Sequence, residues 1–264
     1  MNRGSKMERL NVEKYVTENS SEWIVFLHGF GGNTKMWNRQ IRFFKDRYNL
    51  LVIDLPGHGL SKPGIANKGI RKFEEIADMI VYEMRENGIE KAFFICVSLG
   101  TLVLGGILSK YKEVVKGAIL CGAIMGINIF LKLLLRALNV IKRIFPYMFI
   151  MELFSRFLLP FKAHQFSRKL FMKSGVLLGK EEFLAWCNLV IADLDVLKNL
   201  TDWADNILFV TGEEDYTFKK GVQKKVNSLH MGSLQIVKQC GHVCNVQKWR
   251  EFNDISLNFL QSVA

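Results

Sequence analysis

Short, nearly unbroken apolar runs alternate along this chain with longer stretches of helix-type patterning. The runs are rich in Val, Ile, Leu and Phe. They predict strands at residues 10–16, 23–27, 50–54, 93–97, 118–121, 207–211 and 234–237. The longer stretches predict helices at 35–45, 72–87, 99–110, 221–229 and 249–260. This alternation implies an α/β fold, a doubly wound, mostly parallel sheet with helices on both faces. In such sheets the chemistry gathers at the carboxyl ends of the strands.

The alternation stops between about residues 122 and 203. Asn128, Lys132, Arg136, Asn139 and Arg143 recur every three or four positions, the spacing of one polar, basic helical stripe. Phe145-Pro146 ends that helix, and 154–171 reads as further helices separated near Pro160. The expected organisation is a core of 1–122 and 204–264 interrupted by a helical cap, 123–203, folded over the strand ends. The apolar faces of such a cap also have to pack on the core.

At 264 residues and 49% hydrophobic content, the chain can bury one large core, and disorder is disfavoured. Its five cysteines are odd in number, scattered and mostly within apolar runs, which points to reduced thiols in a cytoplasmic protein. The basic N-terminus lacks an apolar segment after it, which argues against a secretory signal. Residues 92–109 are uncharged for about the length of a membrane span. They contain Gly100, Gly105 and Gly106 and change pattern midway, so they read as a buried strand followed by a buried helix.

The formal charge of +11 is uneven, with ten Lys or Arg against Glu152 alone between Met125 and Lys180. Nucleic-acid binding is one reading of a basic chain. The basic segment is dominated by Phe, Leu and Ile and carries no nucleic-acid motif, so no nucleic-acid partner is expected. It better suits an apolar pocket, an anionic substrate or peripheral contact with an anionic membrane. Oligomeric state is left open.

One segment brings chemistry into this frame. Phe94-Ile95-Cys96-Val97-Ser98-Leu99-Gly100 is a strand-like run ending in a serine, then a leucine and a glycine that open a helix. This suits a nucleophilic serine at a sharp strand-to-helix turn, although Cys96 stands where such turns normally have glycine. Acyl transfer from serine needs a base, a group that orients the base, and donors for the oxyanion. His242, in Gln239-Cys240-Gly241-His242, follows the last strand and is the candidate base. Asp215, in Thr211-Gly212-Glu213-Glu214-Asp215, is the candidate orienting acid. Glu213 and Glu214 adjoin it, and Asp193, Asp195, Asp202 and Asp205 are competitors. The N–H groups of Leu99 and Phe30 are the candidate oxyanion donors, Phe30 lying in His28-Gly29-Phe30-Gly31-Gly32.

Other readings of these residues are weaker. Cys240, His242 and Cys244 lack the second pair of ligands that a structural zinc requires, so no metal is expected. The Gly29–Gly32 turn lacks the lysine and Ser/Thr of a phosphate loop, and no cofactor is expected. His28 and His58 suit turn-bracing roles, and His164 and His230 suit the surface or the cap.

Five segments taken together resemble the α/β-hydrolase superfamily from about Leu10 to Leu260. They are His28 to Gly32, Asp54-Leu55-Pro56-Gly57-His58-Gly59-Leu60-Ser61, the serine turn, Gly212 to Asp215, and Gly241-His242. The resemblance implies an eight-stranded, mostly parallel sheet, a cap inserted after the sixth strand, and a Ser98–His242–Asp215 triad. The N-terminal part is short for the family's opening hairpin, so the first strand is expected to be missing or abbreviated. The implied function is a serine hydrolase for small lipophilic carboxylic esters, working through an acyl-enzyme. Lactone hydrolysis, carbon–carbon bond cleavage or elimination by the same triad are alternatives, as is a ligand sensor with slow turnover. A serine nucleophile argues against haloalkane dehalogenase or epoxide hydrolase chemistry, which similar folds perform with a carboxylate.

Overall fold

The computed structural model describes residues 9–62, 64–125, 133, 145–193, 196, 206–229 and 233–263. The basic stripe at Asn128, Lys132, Arg136, Asn139 and Arg143 lies outside the described residues, as do Asp195, Asp202, Asp205 and His230.

Strands β1 (Val12–Tyr15), β2 (Trp23–Leu27), β3 (Asn49–Ile53), β4 (Ala92–Val97), β5 (Val115–Cys121), β6 (Ile207–Gly212) and β7 (Ser233–Val237) form one sheet. Their order is β1-β3-β2-β4-β5-β6-β7, with β1 antiparallel to β3 and every other pair parallel. The eight strands implied by resemblance are seven among the described residues. β1 is itself the sheet edge, and its Glu13 and Lys14 are the polar residues that a solvent-facing edge tolerates. The helical segment accordingly follows the fifth described strand.

The inner strands β2 to β6 bury both faces in alternation, as a period of two requires. Val25, Leu27, Leu51, Ile53, Phe94 and Leu120 share one core with α3 (Phe73–Glu86) and α4 (Leu99–Lys110). Ile24, Phe26, Leu50, Val52, Phe93 and Ile95 point the other way. There they meet Ile41 and Phe44 of α1 (Asn38–Phe44) and Phe252 and Leu260 of α10 (Trp249–Val263). Each fully buried Leu, Ile or Phe contributes about 1.5–3 kcal/mol.

Residues 92–109 are β4 and most of α4, both buried, so their lack of charge reflects two-sided packing. A side chain at Gly106 would stand 2.4 Å from the Phe73 carbonyl oxygen, so this glycine lets α3 and α4 approach closely. No helix among the described residues is long and apolar enough to cross a membrane.

Between β5 and β6 the chain forms α5 (Tyr147–Leu158), α6 (Gln165–Leu178) and α7 (Lys180–Ala192). The Tyr147 hydroxyl donates to the Gly175 carbonyl at 2.7 Å, tying α5 to α6. α7 is fastened to the core at three points. Glu182 accepts from the Ile65 and Ala66 N–H groups at 2.5 and 3.1 Å, at the start of α2 (Ile65–Lys68). Trp186 donates to the Pro56 carbonyl at 3.2 Å, and the Asp193 carboxylate accepts from Phe73 N–H at 2.8 Å. The remaining elements, α8 (Lys219–Leu229) and α9 (Cys244–Gln247), follow β6 and β7.

Candidate active site

Ser98 sits between the end of β4 and the first residue of α4, with φ +50° and ψ −111°. A non-glycine residue held at such angles costs about 1–3 kcal/mol and persists only where neighbours enforce it. Here its N–H donates to the Cys121 carbonyl at 2.9 Å, and its own carbonyl accepts from Thr101 N–H and Oγ1 at 2.9 and 2.6 Å. A Cβ on Gly100 would lie 2.3 Å from the Leu27 carbonyl oxygen, so only glycine fits where helix crosses strand. Cys96 is fully buried in the core, and the turn forms with cysteine at that position.

His242 and Asp215 come from the loops after β7 and β6. The imidazole Nε2 stands 2.9 Å from Ser98 Oγ, and Nδ1 stands 2.9 Å from Asp215 Oδ2. A carboxylate can only accept, so Nδ1 carries the proton and Nε2 is left to accept from the serine hydroxyl. Asp215 Oδ1 also accepts from Phe218 N–H at 3.2 Å. Burial works against the charged imidazole, but the Asp215 carboxylate outweighs it and holds the His242 pKa above its usual 6.5. Glu213 is turned to Gln239 N–H at 3.1 Å, Glu214 faces His164, and Asp193 binds α3, so none of these meets His242.

The two candidate donors flank the serine. Among the described residues, neither Phe30 N–H nor Leu99 N–H is bonded to another backbone or side-chain acceptor. Leu99 N–H is free because the first amides of a helix have no intrahelical partner. The next two amides of the glycine turn are occupied: Gly31 N–H donates to His58 Nε2 at 3.1 Å and Gly32 N–H to the Gly29 carbonyl at 2.9 Å. His28 accepts from Leu55 N–H at 3.0 Å, so both histidines brace turns as expected. Burial lowers the pKa of each and keeps them neutral acceptors. Asp54 completes the bracing, accepting from Thr34 N–H at 2.7 Å and Leu60 N–H at 2.9 Å. The Phe30 ring lies against Phe154, Phe171 and Phe183, one from each of α5, α6 and α7.

These groups open onto a cavity of about 70 Å³ whose walls include Phe30, Met36, Val97, Leu159, Phe171 and Val246. Three further residues shape the site without the sequence assigning them to it. Gly122, at φ +56°, would place a Cβ 2.9 Å from His242 Nδ1, so it makes room for the imidazole. Its signal was a glycine directly after a strand. Of the two places expected for His164, the surface or the cap, it takes the segment expected to be the cap, between α5 and α6. It is only 1% exposed, its Nε2 lies 3.4 Å from Glu214 Oε2, and it packs on the Gly241 backbone. Ser167 of α6 lines the cavity, and nothing in its sequence context distinguishes it. Cys240 and Cys244 direct their thiols to Gln247 Oε1 and the Gly241 carbonyl. Among the described residues no group of three or more His, Cys, Asp or Glu forms a metal-ligand set.

The model of the alpha/beta hydrolase fold family matches residues 22–168. One relative is a 2-succinyl-6-hydroxy-2,4-cyclohexadiene-1-carboxylate synthase of Pectobacterium atrosepticum. It is 35% identical over 78 residues, which are 30% of this chain and 29% of that protein. The chain spans less than half the length of the curated relatives it matches. The structure of a thermophilic esterase from Thermogutta terrifontis superposes with a TM-score of 0.78 at 19% identity, covering 96% of this chain and 93% of that one. An enol-lactonase from Burkholderia xenovorans LB400 gives 0.74 at 18% identity, covering 96% of each chain. With its parallel sheet, its serine turn and a family match over more than half its length, this chain belongs to the alpha/beta hydrolase fold family.

Proposed function

We propose that this hydrolase cleaves small, uncharged carboxylic esters through Ser98, His242 and Asp215, with α5 to α7 serving as the cap. The observation that carries the reading is the unbroken line of two 2.9 Å hydrogen bonds from Asp215 through His242 to Ser98, at the floor of an apolar pocket. Ser98 Oγ attacks the acyl carbon as its proton passes to His242 Nε2. The Phe30 and Leu99 N–H groups hold the oxyanion, and His242 then protonates the leaving alcohol. Water activated by the same imidazole releases the acid. Asp215 keeps the imidazole in the required tautomer and stabilises its charged form.

The cavity supports short acyl groups. Its volume of about 70 Å³ is under half the roughly 150 Å³ that admits benzene in an engineered apolar cavity. A second reading assigns the same residues to a lactone or to carbon–carbon chemistry. It is favoured by the resemblance to the enol-lactonase structure and to the cyclohexadiene-carboxylate synthase. Among the described residues lining the cavity, none is Lys or Arg. A substrate carboxylate would meet no Lys or Arg among these described walls, which favours the neutral ester.

The test is hydrolysis of p-nitrophenyl esters from acetate to octanoate. The expected result is fastest turnover with acetate to butyrate, and a drop of about 10⁴-fold or more in kcat for Ser98→Ala with unchanged circular dichroism. An undiminished rate in that variant removes Ser98 from the reaction.

A further inference from the structure

Ser167 is the one cavity-lining side chain, among the described residues, that is polar, buried and without a hydrogen-bond partner. It sits near the start of α6 and is 4% exposed. A helical serine ordinarily satisfies itself on a carbonyl one turn back. Ser167 Oγ does not, and the residue is part of the wall of the same cavity as Ser98 and His242. Asn33, another polar wall residue, already accepts from Lys35 N–H at 3.0 Å. Buried hydroxyls in folded proteins almost always have a partner, so an orphan inside a substrate pocket marks a place where the ligand supplies one.

We infer that Ser167 Oγ is a recognition group for a second oxygen on the substrate, separate from the scissile carbonyl. A hydroxyl can both donate and accept, so it pairs with a neutral hydroxyl or carbonyl oxygen. The absence of Lys and Arg from the described lining disfavours an anionic group there. The ligand class is therefore a short ester carrying a hydroxyl or keto oxygen a few atoms from the reacting carbon. This rests on the proposed triad as far as the position of the ester is concerned. The Ser167 contact itself is a binding interaction and needs no turnover.

The test measures binding in Ser98→Ala protein, where chemistry is blocked, by NMR titration with methyl butyrate, methyl 3-hydroxybutyrate and methyl acetoacetate. At least one oxygenated ester is expected to bind about tenfold more tightly than methyl butyrate, the scale of one added hydrogen bond. Ser98→Ala/Ser167→Ala should lose that preference and keep its affinity for methyl butyrate. Ser98→Ala/Ser167→Thr, which retains a hydroxyl, should recover it. Equal affinity for all three esters in Ser98→Ala overturns the inference without recourse to any Ser167 variant. So does a preference that survives Ser167→Ala. If the preference is present and wild-type protein hydrolyses none of the esters, the recognition role stands and the hydrolase reading falls.

Discussion

The proton on His242 is governed by two opposed environments. Burial disfavours the imidazolium, and the charge and hydrogen bond of Asp215 favour it more strongly, so the pKa rises above 6.5. A general base works only when neutral, so activity is present above this pKa and lost as pH falls through it. The kcat/KM profile for p-nitrophenyl acetate should therefore show an acidic limb above pH 6.5. Asp215→Asn removes the favouring charge and leaves burial, so the limb should move to lower pH while kcat falls by about 10³–10⁴-fold. A limb unmoved in that variant would show that Asp215 does not govern the imidazole. At this scale the sequence revealed residues that a motif marks: Ser98 by its apolar strand and following glycine, His242 and Asp215 by their places after strands. Ser167 carries no such mark, and Gly122 only its place directly after β5. One acquires its meaning from the cavity it lines and the other from an imidazole 120 positions away.

Among the elements, strands β2 to β6 were legible because burial on both faces leaves apolar runs that few helices match. Helix α4 was legible to its end residues, and α3 to within one residue at either end. The segment between β5 and β6 was harder to divide. α5 begins at Tyr147, ahead of the expected 154, because Phe149 and Leu153 are exposed while Ile150 and Met151 are buried. Apolar residues on both faces erase the period that would have set its start. What fixes α7 to the core is polar. Gly57 and Gly64 leave room for the Glu182 carboxylate, since a Cβ at either would stand within 2.5 Å of it. Glu182→Ala strands the amides of Ile65 and Ala66 and should lower stability by about 1–3 kcal/mol in urea unfolding. A midpoint equal to that of the parent would mean that α7 is held by its apolar contacts alone. Because Phe183 of α7 packs on Phe30 with ring centroids 5.1 Å apart, this anchor also bears on the turn that carries an oxyanion donor.

Across the whole molecule, none of the Lys and Arg side chains behind the formal charge of +11 stands among the described walls of the pocket. Among the described residues of those walls, His242 is the one titratable base. At the site, five parts of the chain converge: the turn after β2, the β4–α4 elbow, the loop after β7 and α6 line the pocket, and the loop after β6 brings Asp215 behind His242. The order of these parts along the chain was legible, and their convergence was expected from their places after the strands as well as from resemblance; the volume they enclose was not accessible from sequence. The claim on which this account rests is that the convergence activates Ser98. The most direct measurement is labelling of the intact protein with a fluorophosphonate probe, with the adduct mapped by peptide mass spectrometry. A single adduct on Ser98, lost in His242→Gln, is the predicted result; an unlabelled Ser98, or labelling undiminished without His242, would contradict it.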